Sequence, residues 1–168
     1  GAGIQADIKA VTALGGYAAT AVTAITVQNT LGVFGVHPIP LDIVRDQIRV
    51  VLEDIGADAL KTGMLATVET VETVAEAIDA YAKAVALVVD PVMIAKGGHP
   101  LLEPRAQETV RTLMLPRATL VTPNAPEAEV LTGRVVADLD GQKRAAERLL
   151  ALGAKAALVK GGHVDGPI

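Results

Sequence analysis

Residues 85–93 have the sequence Val-Ala-Leu-Val-Val-Asp-Pro-Val-Met, an apolar run that ends at an acid and a proline. We predict a strand over residues 85–90, because a short apolar run bounded by a turn residue is typical of a buried strand. Similar runs recur along the chain and alternate with segments of helical periodicity. Strands that alternate with helices need crossover connections, so this pattern predicts a mainly parallel sheet with helices on both faces.

The flanking segments extend this alternation in both directions. Apolar residues at helical spacing between Ile4 and Leu14 are followed by Gly15, which ends a predicted helix. Residues 17–27 are rich in Ala, Thr, Val and Ile and predict a strand buried on both faces. The predicted helices cover residues 4–14, 41–55, 67–83, 104–113, 126–131 and 139–152, and the predicted strands cover residues 17–27, 33–36, 57–62, 85–90, 118–122 and 156–160. We therefore predict a three-layer α/β/α fold with a mainly parallel central sheet, in one domain over residues 1–168.

The composition favours a small molecule as the partner of this protein. Hydrophobic residues make up 51% of the chain and aromatic residues only 2%, so the core is expected to be aliphatic. A net charge of -4 without any run of Lys or Arg argues against nucleic acid or an anionic membrane as a partner. The sequence contains no Cys, no apolar run of membrane-spanning length and no signal-peptide pattern. We therefore expect a soluble, cytoplasmic protein.

Polar residues follow the predicted strands at the positions where parallel sheets bind ligands, beyond their carboxyl ends. They include Asp90, Asn124, Glu127 and Lys160. This assortment suits phosphate and a divalent cation, since Mg²⁺ takes carboxylate and phosphate oxygens and a lysine neutralises a transferring phosphoryl group. We expect these side chains to line one crevice.

Simpler structural interpretations compete with each candidate site residue. Asn124 followed three residues later by Glu127 is also the pattern of a capping box, although a capped helix can still bind an anion at its N-terminus. Lys160 lies in Lys-Gly-Gly, which lacks the spacing of a P-loop and is common in turns. Asp7 is also explained as a surface carboxylate at the start of a helix. The histidines lack metal-ligand spacing and are expected in solvated loops: His37, His99 and His163.

Six motifs follow one another along the whole chain: GAGIQAD at 1–7, AITVQNT at 24–30, KTGML at 61–65, VDPVM at 89–93, TPNAPEA at 122–128 and VKGGH at 159–163. Together they resemble the hydroxymethylpyrimidine/phosphomethylpyrimidine kinase family. The DPVM and NxxE elements are also similar to pyridoxal kinases and the wider ribokinase-like class. The resemblance implies a ribokinase-like fold and ATP-dependent phosphorylation of 4-amino-5-hydroxymethyl-2-methylpyrimidine, and then of its monophosphate, in thiamine biosynthesis.

The resemblance also implies which residues bind the pyrimidine. Asp7 and Gln28 match the family positions that hold it by hydrogen bonds, and Met64 and Val92 match those that make apolar contacts with it. The chemistry agrees, because a carboxylate and a carboxamide can pair with the amino group and ring nitrogens of an aminopyrimidine. Apolar side chains then cover the ring faces.

A second set of residues matches the family positions that handle ATP. By the resemblance, Asp90 and Glu127 organise Mg²⁺, Asn124 supports the metal and phosphate region, and Lys160 contacts the ATP phosphates. ATP and Mg²⁺ are therefore the expected cofactors.

The family pattern extends beyond both ends of this sequence. It starts with a strand before the position of Gly1 and continues past the position of Ile168 through a Gly-Thr-Gly-Cys-type segment. That segment carries the anion hole and the residue near the attacking hydroxyl, and part of the adenine pocket follows it. We therefore expect no catalytic residue within residues 1–168, and no turnover by these residues alone. A pyridoxal kinase and a non-catalytic pyrimidine-binding protein stay open as alternatives, and relatives are commonly homodimers.

Overall fold

The computed structural model describes residues 3–94 and 100–161, so His99 and His163 lie outside the described residues. The helices in these residues are α1 Ile4–Ala13, α2 Leu41–Asp54, α3 Val68–Tyr81, α4 Pro104–Thr109, α5 Ala125–Thr132 and α6 Leu139–Ala151. The strands are β1 Ala24–Gln28, β2 Val33–Pro38, β3 Ala59–Thr62, β4 Ala86–Val89 and β5 Leu120–Val121. Most predicted elements are present, with ends within about three residues of the predicted ones.

The parallel sheet has the strand order β3-β4-β5. Lys61 pairs with Val88 and Thr62 pairs with Val89 across β3 and β4, and Val89 pairs with Val121 across β4 and β5. β4 is the apolar strand predicted from residues 85–90, and it occupies the centre because an apolar strand can be covered on both faces. The predicted α/β class with a parallel sheet is confirmed.

β1 and β2 form a separate antiparallel pair, which we call the β1–β2 ribbon. The prediction of a strand over residues 17–27 that is buried on both faces is wrong. The strand starts only at Ala24, and Ile25 and Val27 are exposed. A run of apolar residues does not specify its partner, and the turn closed by Asn29 lets β1 pair with the next segment instead. The same pairing places His37 in a strand rather than in the predicted loop.

The helix predicted over residues 104–113 changes its geometry before it ends. α4 is regular only to Thr109, after which Val110–Met114 is a π-helix and Leu115–Arg117 is a 3₁₀ turn. Pro116 is the physical reason, since proline has no N–H to donate and its ring clashes with the carbonyl four residues earlier in an α-helix.

The last predicted strand, over residues 156–160, is present only as two isolated parallel bridges. Ala157 pairs with Val121, and Lys160 pairs with Asn124. The preceding strand is also shorter than predicted, since β5 contains two residues rather than residues 118–122. The chain nevertheless follows the expected parallel course, and it carries Lys160 to the edge of the sheet next to Asn124.

The core of the described residues lies around β4 and the helices that pack against the sheet. Its fully buried side chains include Val44 of α2, Val71 of α3, Leu87 of β4, Leu149 of α6, and Met114 at the end of the π-helix. Burial of one such aliphatic side chain contributes about 1.5 to 3 kcal/mol. In the parts of the chain that the structure describes, every helix is too short or too polar to cross a membrane.

Candidate active site

Polar groups collect at the carboxyl edge of the parallel sheet. Asp90 directly follows β4, and its backbone N–H donates to the carbonyl of Thr62 at the end of β3 (3.1 Å). The N–H of Lys160 donates to the carbonyl of Pro123 (2.8 Å). These main-chain bonds continue the parallel pairing just past the strands. The tips of neighbouring strands therefore lie side by side, as the fold class requires.

Two residues at the carboxyl edge of the sheet, Lys160 and Thr122, contact the carboxylate of Asp90. Lys160 Nζ lies 3.1 Å from Asp90 Oδ1, and Thr122 Oγ1 donates to the same oxygen over 3.4 Å. The structure thus brings together two residues that the sequence analysis assigned to Mg²⁺ and to the ATP phosphates.

Asn124 and Glu127 form a capping box, which was the structural alternative to a functional role for these two residues. Asn124 Oδ1 accepts from the N–H of Glu127 (2.9 Å), and Glu127 Oε2 accepts from the N–H of Asn124 (2.8 Å). Glu127 is only 5% exposed. Burial raises the pKa of its carboxyl above the ordinary value, while the Asn124 amide and the Lys160 ammonium oppose the rise. The cap is confirmed, and it leaves the Glu127 carboxylate near Lys160 and Asp90, so capping is compatible with a role in the site.

Lys61 joins Asp7 to this group. Its Nζ lies 2.8 Å from Asp7 Oδ2 and 3.9 Å from Asp90 Oδ2. Side chains alternate along a strand, and because Thr62 points into the core, Lys61 points to the opposite face, where Asp7 of α1 lies. Asp7, Lys61, Asp90 and Lys160 thus form a row of alternating charges, which we call the charge row.

Lys61 belongs to the KTGML motif at residues 61–65, but no role was predicted for it from the sequence. The signal that was available is its place at the penultimate position of β3, in a strand that is otherwise apolar or small. A lysine at such a position has its head group near the carboxyl edge of the sheet, where the other candidate residues were expected.

A shallow, open depression lies beside Asp90. Its mostly apolar wall is formed by Thr62, Gly63, Leu65, Val89, Asp90, Pro91, Val92, Leu102 and Val110. Val92 is therefore next to the charged residues, as a ring contact requires. Met64 lies in the loop after β3, between two residues of this wall, and its carbonyl accepts from Thr23 Oγ1 (2.8 Å). The buried hydroxyl of Thr62 has no hydrogen-bond partner among the described residues.

Gln28 is less firmly connected than the other candidates. It ends β1, pairs with Val33 across an irregularity in the ribbon, and is exposed. Among residues 3–94 and 100–161, hydrogen bonds and the 3.9 Å ion pair between Lys61 and Asp90 connect Asp7, Asp90 and Lys160, and the side-chain hydrogen bonds found there do not include Gln28. The structure therefore brings seven of the eight predicted residues to the sheet edge or its adjoining loops and leaves Gln28 on the ribbon.

The donors at this edge fit a magnesium ion that is shared with phosphate. Mg²⁺ usually keeps several waters and binds one or two carboxylates together with substrate phosphates. Asp90 and Glu127 supply two carboxylates. Within the two described stretches, no group of three or more His, Asp or Glu side chains is arranged to hold a metal by itself. Two protein carboxylates together with phosphate oxygens could supply ligands that Mg²⁺ takes.

Solved structures define the class of this fold. The phosphomethylpyrimidine kinase of Clostridium difficile has a TM-score of 0.90 and 46% identity, and the match covers 99% of this chain and 72% of that one. A pyridoxal kinase of Bacillus subtilis, solved as an ADP complex, has a TM-score of 0.87 and 37% identity, with 99% and 63% covered. The chain is thus a ribokinase-like α/β protein, as the sequence predicted.

Sequence comparison then defines the family within that class. The family model of phosphomethylpyrimidine kinase matches residues 1–167. The hydroxymethylpyrimidine/phosphomethylpyrimidine kinase of Bacillus subtilis strain 168 is 50% identical over 163 residues, which are 97% of this chain and 60% of that protein. The chain belongs to the phosphomethylpyrimidine kinase family, which confirms the resemblance found in its motifs. It spans about 60% of the length of several curated relatives that it matches.

Proposed function

We propose that the protein containing this chain transfers the γ-phosphoryl group of ATP to 4-amino-5-hydroxymethyl-2-methylpyrimidine, and then to its monophosphate, in thiamine biosynthesis. The observation that carries this proposal is the charge row, which runs from Asp7 on α1 to Lys160 at the sheet edge. In a chain of this family, the row connects a residue proposed to bind the pyrimidine with residues proposed to bind phosphate and metal.

The pyrimidine side of the proposed site consists of Asp7, Gln28, Met64 and Val92. The Asp7 carboxylate is an acceptor for an amino group, and the Gln28 carboxamide can both donate and accept. Val92 lies in the apolar wall of the depression and Met64 in the adjoining loop, where both can cover a planar ring. Position and chemistry together support this assignment, with Gln28 supported by its chemistry and its motif.

The phosphate side consists of Asn124, Lys160, Asp90 and Glu127. Asp90 and Glu127 would hold Mg²⁺, and Asn124 would fix the start of α5, where backbone N–H groups favour an anion. When bound, Mg²⁺ would neutralise charge on the β- and γ-phosphates. The Lys160 ammonium would contact the phosphates, and its 3.1 Å approach to Asp90 supports that placement.

In the proposed reaction, the hydroxymethyl oxygen of the substrate forms a bond to the γ-phosphorus, and the bond from that phosphorus to the β,γ-bridging oxygen breaks. ADP leaves with the electron pair of the broken bond. The proton of the hydroxyl passes to a base, and none of the described residues is proposed for that role. The described residues would bind and orient the reactants, and phosphoryl transfer requires in addition the electrostatic stabilisation of the transferring group.

Pyridoxal kinase activity is the second candidate. It is favoured by the solved pyridoxal kinases that share this fold, including that of Staphylococcus aureus in complex with AMP-PCP and pyridoxal, at 37% identity and a TM-score of 0.86. The pyrimidine kinases are more similar in sequence, at 46% to 50% identity, and for this reason the pyrimidine is proposed first. A cytoplasmic location and a homodimer belong to the same proposal and rest on the family alone.

The deciding experiment is turnover by the protein in its full natural length with ATP and Mg²⁺. Hydroxymethylpyrimidine, its monophosphate and pyridoxal are compared at matched concentrations, with ADP release and phosphorus NMR of the products as readouts. We expect kcat/KM for the pyrimidine to exceed that for pyridoxal about tenfold or more. A preference for pyridoxal would replace the first function by the second. Pyrimidine binding without ADP release would instead indicate a non-catalytic binding protein.

A further inference from the structure

Asp7 lies on α1, Ile4–Ala13. None of the residues of this helix is buried, and its apolar residues Ile4, Ile8 and Val11 are each more than a third exposed. Within residues 3–94 and 100–161, one side-chain hydrogen bond joins α1 to the rest of the fold. It is the hydrogen-bonded ion pair between Asp7 and Lys61. The position of the Asp7 carboxylate therefore depends on Lys61.

Lys61 is itself fixed by the sheet. It pairs with Val88 of the central strand β4, and the next residue, Thr62, is buried in the core and hydrogen-bonded through its carbonyl to Asp90. Its backbone therefore has little freedom, and its side chain alone spans the space to α1. A residue anchored in this way can fix the place of a carboxylate on a neighbouring helix.

The charges around Lys61 explain why a lysine is needed there. Its ammonium lies between the carboxylates of Asp7 and Asp90, at 2.8 Å and 3.9 Å. Without it, these two carboxylates would face each other with no positive charge between them, and like charges repel. Repulsion would then push the Asp7 carboxylate away from Asp90 and from its place at the sheet edge.

We infer that Lys61 is a positioning residue for the alcohol substrate: it holds the Asp7 carboxylate at the site and acts on the substrate through Asp7. This inference rests on the proposed function, in which Asp7 binds the pyrimidine. It adds a residue that neither the motifs nor the fold class assigned to the site. Because Lys61 acts on the substrate through Asp7, we expect its loss to affect the binding of substrate more than the rate of the chemical step.

The test is a double-mutant cycle on substrate binding in the full-length protein. The dissociation constant of hydroxymethylpyrimidine is measured by calorimetry without nucleotide or metal, for the wild type, Asp7→Asn, Lys61→Met and the double variant. We expect each single change to weaken binding about tenfold, which corresponds to about 1.4 kcal/mol. We expect the double variant to bind no more weakly than Asp7→Asn, because residues that act through one another are not additive. In turnover, Lys61→Met raises KM and leaves kcat within about twofold.

Two further variants separate charge from packing. Lys61→Arg keeps the charge and is expected to lose less affinity than Lys61→Met. Lys9→Met, which removes a lysine from the exposed face of the same helix as Asp7, is expected to bind as the wild type does. If Lys61→Met does not fold, Lys61→Gln takes its place in the cycle.

Three results would overturn the inference: unchanged affinity in Lys61→Met, equal losses in the arginine and methionine variants, or a double variant whose loss is the product of the single losses. Failure of the proposed function has a different signature, since the wild type itself would then not bind the pyrimidine. If the wild type binds pyridoxal instead, the same double-mutant cycle is measured with pyridoxal. The same three results would then overturn the positioning role of Lys61.

Discussion

The β1–β2 ribbon and the parallel sheet contribute residues to the same proposed site but are built very differently. In the sheet, Val89 and Val121 are almost completely buried, and Glu127 next to them is 5% exposed. In the ribbon, Val27 is 63% and Phe34 is 68% exposed. Side chains at the sheet edge are held by packing and by ion pairs, whereas Gln28 at the end of the ribbon depends on strand pairing alone.

Because of this difference, we expect the two regions to have different roles in the proposed site. Residues that must meet a metal ion and a transferring phosphoryl group with fixed geometry lie on the rigid support, since small displacements there reduce the rate strongly. Gln28, one of the four residues proposed to bind the pyrimidine, lies on the ribbon instead. Changes to Asp90, Glu127 or Lys160 at the sheet edge should therefore act on kcat, and a change to Gln28 in the ribbon should act on KM.

The largest expected effect is that of Glu127→Gln, which removes a carboxylate from the sheet edge. We expect kcat to fall about a hundredfold, with a changed dependence on Mg²⁺ concentration, because the variant loses charge next to the phosphates. Glutamine keeps an oxygen that can accept from the Asn124 N–H, so the capping box is largely retained.

Steady-state kinetics over a Mg²⁺ titration measures this effect in the full-length protein. The matched control is Glu129→Gln on the same helix, whose side-chain oxygen likewise accepts a backbone N–H, that of Val136. A variant with normal kcat and only a lower melting temperature would mean that Glu127 is a helix cap and nothing more.

A matched pair of substitutions compares the two regions directly by stability. We expect Val121→Ala in β5 to lower the free energy of unfolding by about 2 to 3 kcal/mol, because it removes two buried methyl groups and leaves a cavity. Val27→Ala in the ribbon should cost less than about 1 kcal/mol. Urea denaturation of both variants measures the difference. Equal losses would break the comparison, since Val27 would then be buried by a part of the protein outside the described residues.

Gln28→Ala tests the ribbon as a source of specificity. We expect KM for the pyrimidine to rise about three- to tenfold, because one hydrogen bond with a net value of about 0.5 to 1.5 kcal/mol is lost. KM for ATP and kcat should stay close to the wild-type values. A variant of a partly exposed amide on α4, Gln107→Ala, serves as the control. If KM for the pyrimidine does not change, Gln28 does not belong to the site.

The smallest expected effect concerns an ion pair on the outside of the sheet region. Arg117 donates to both carboxylate oxygens of Asp79, and this hydrogen bonding lowers the pKa of Asp79 below its ordinary value of 3.8. The stabilisation is therefore fully present above pH 3.8 and is lost as the pH falls through the lowered pKa. Because the pair is largely exposed, we expect it to contribute less than about 1 kcal/mol.

Thermal melts of Asp79→Asn and the wild type measure this contribution. The wild type should melt slightly higher at neutral pH, and the difference should shrink at pH values well below 3.8. A difference that persists in acid would mean that the pair acts through packing rather than charge.

Sequence reasoning succeeded where a pattern is local. The apolar run of β4 identified the central strand, and the spacing of Asn124 and Glu127 identified a cap that the structure contains. It failed where a distant partner decides the outcome. The apolar content of residues 17–27 does not reveal that only Ala24–Gln28 forms a strand, or that this strand pairs with β2. Lys61 was left without a role because its partner Asp7 lies 54 positions away in sequence.

The sequence by itself determined the family, the alternation of strands and helices, and the residue types available to bind phosphate, metal and a polar ring. These properties depend on periodicity and on motifs, which are written within short stretches of the chain. Only the tertiary structure decided which carboxylate meets which lysine, and that the ribbon stands apart from the parallel sheet. Ion pairs and strand partners depend on distances in space, and several pairings that are compatible with one sequence pattern differ only in how the whole chain packs.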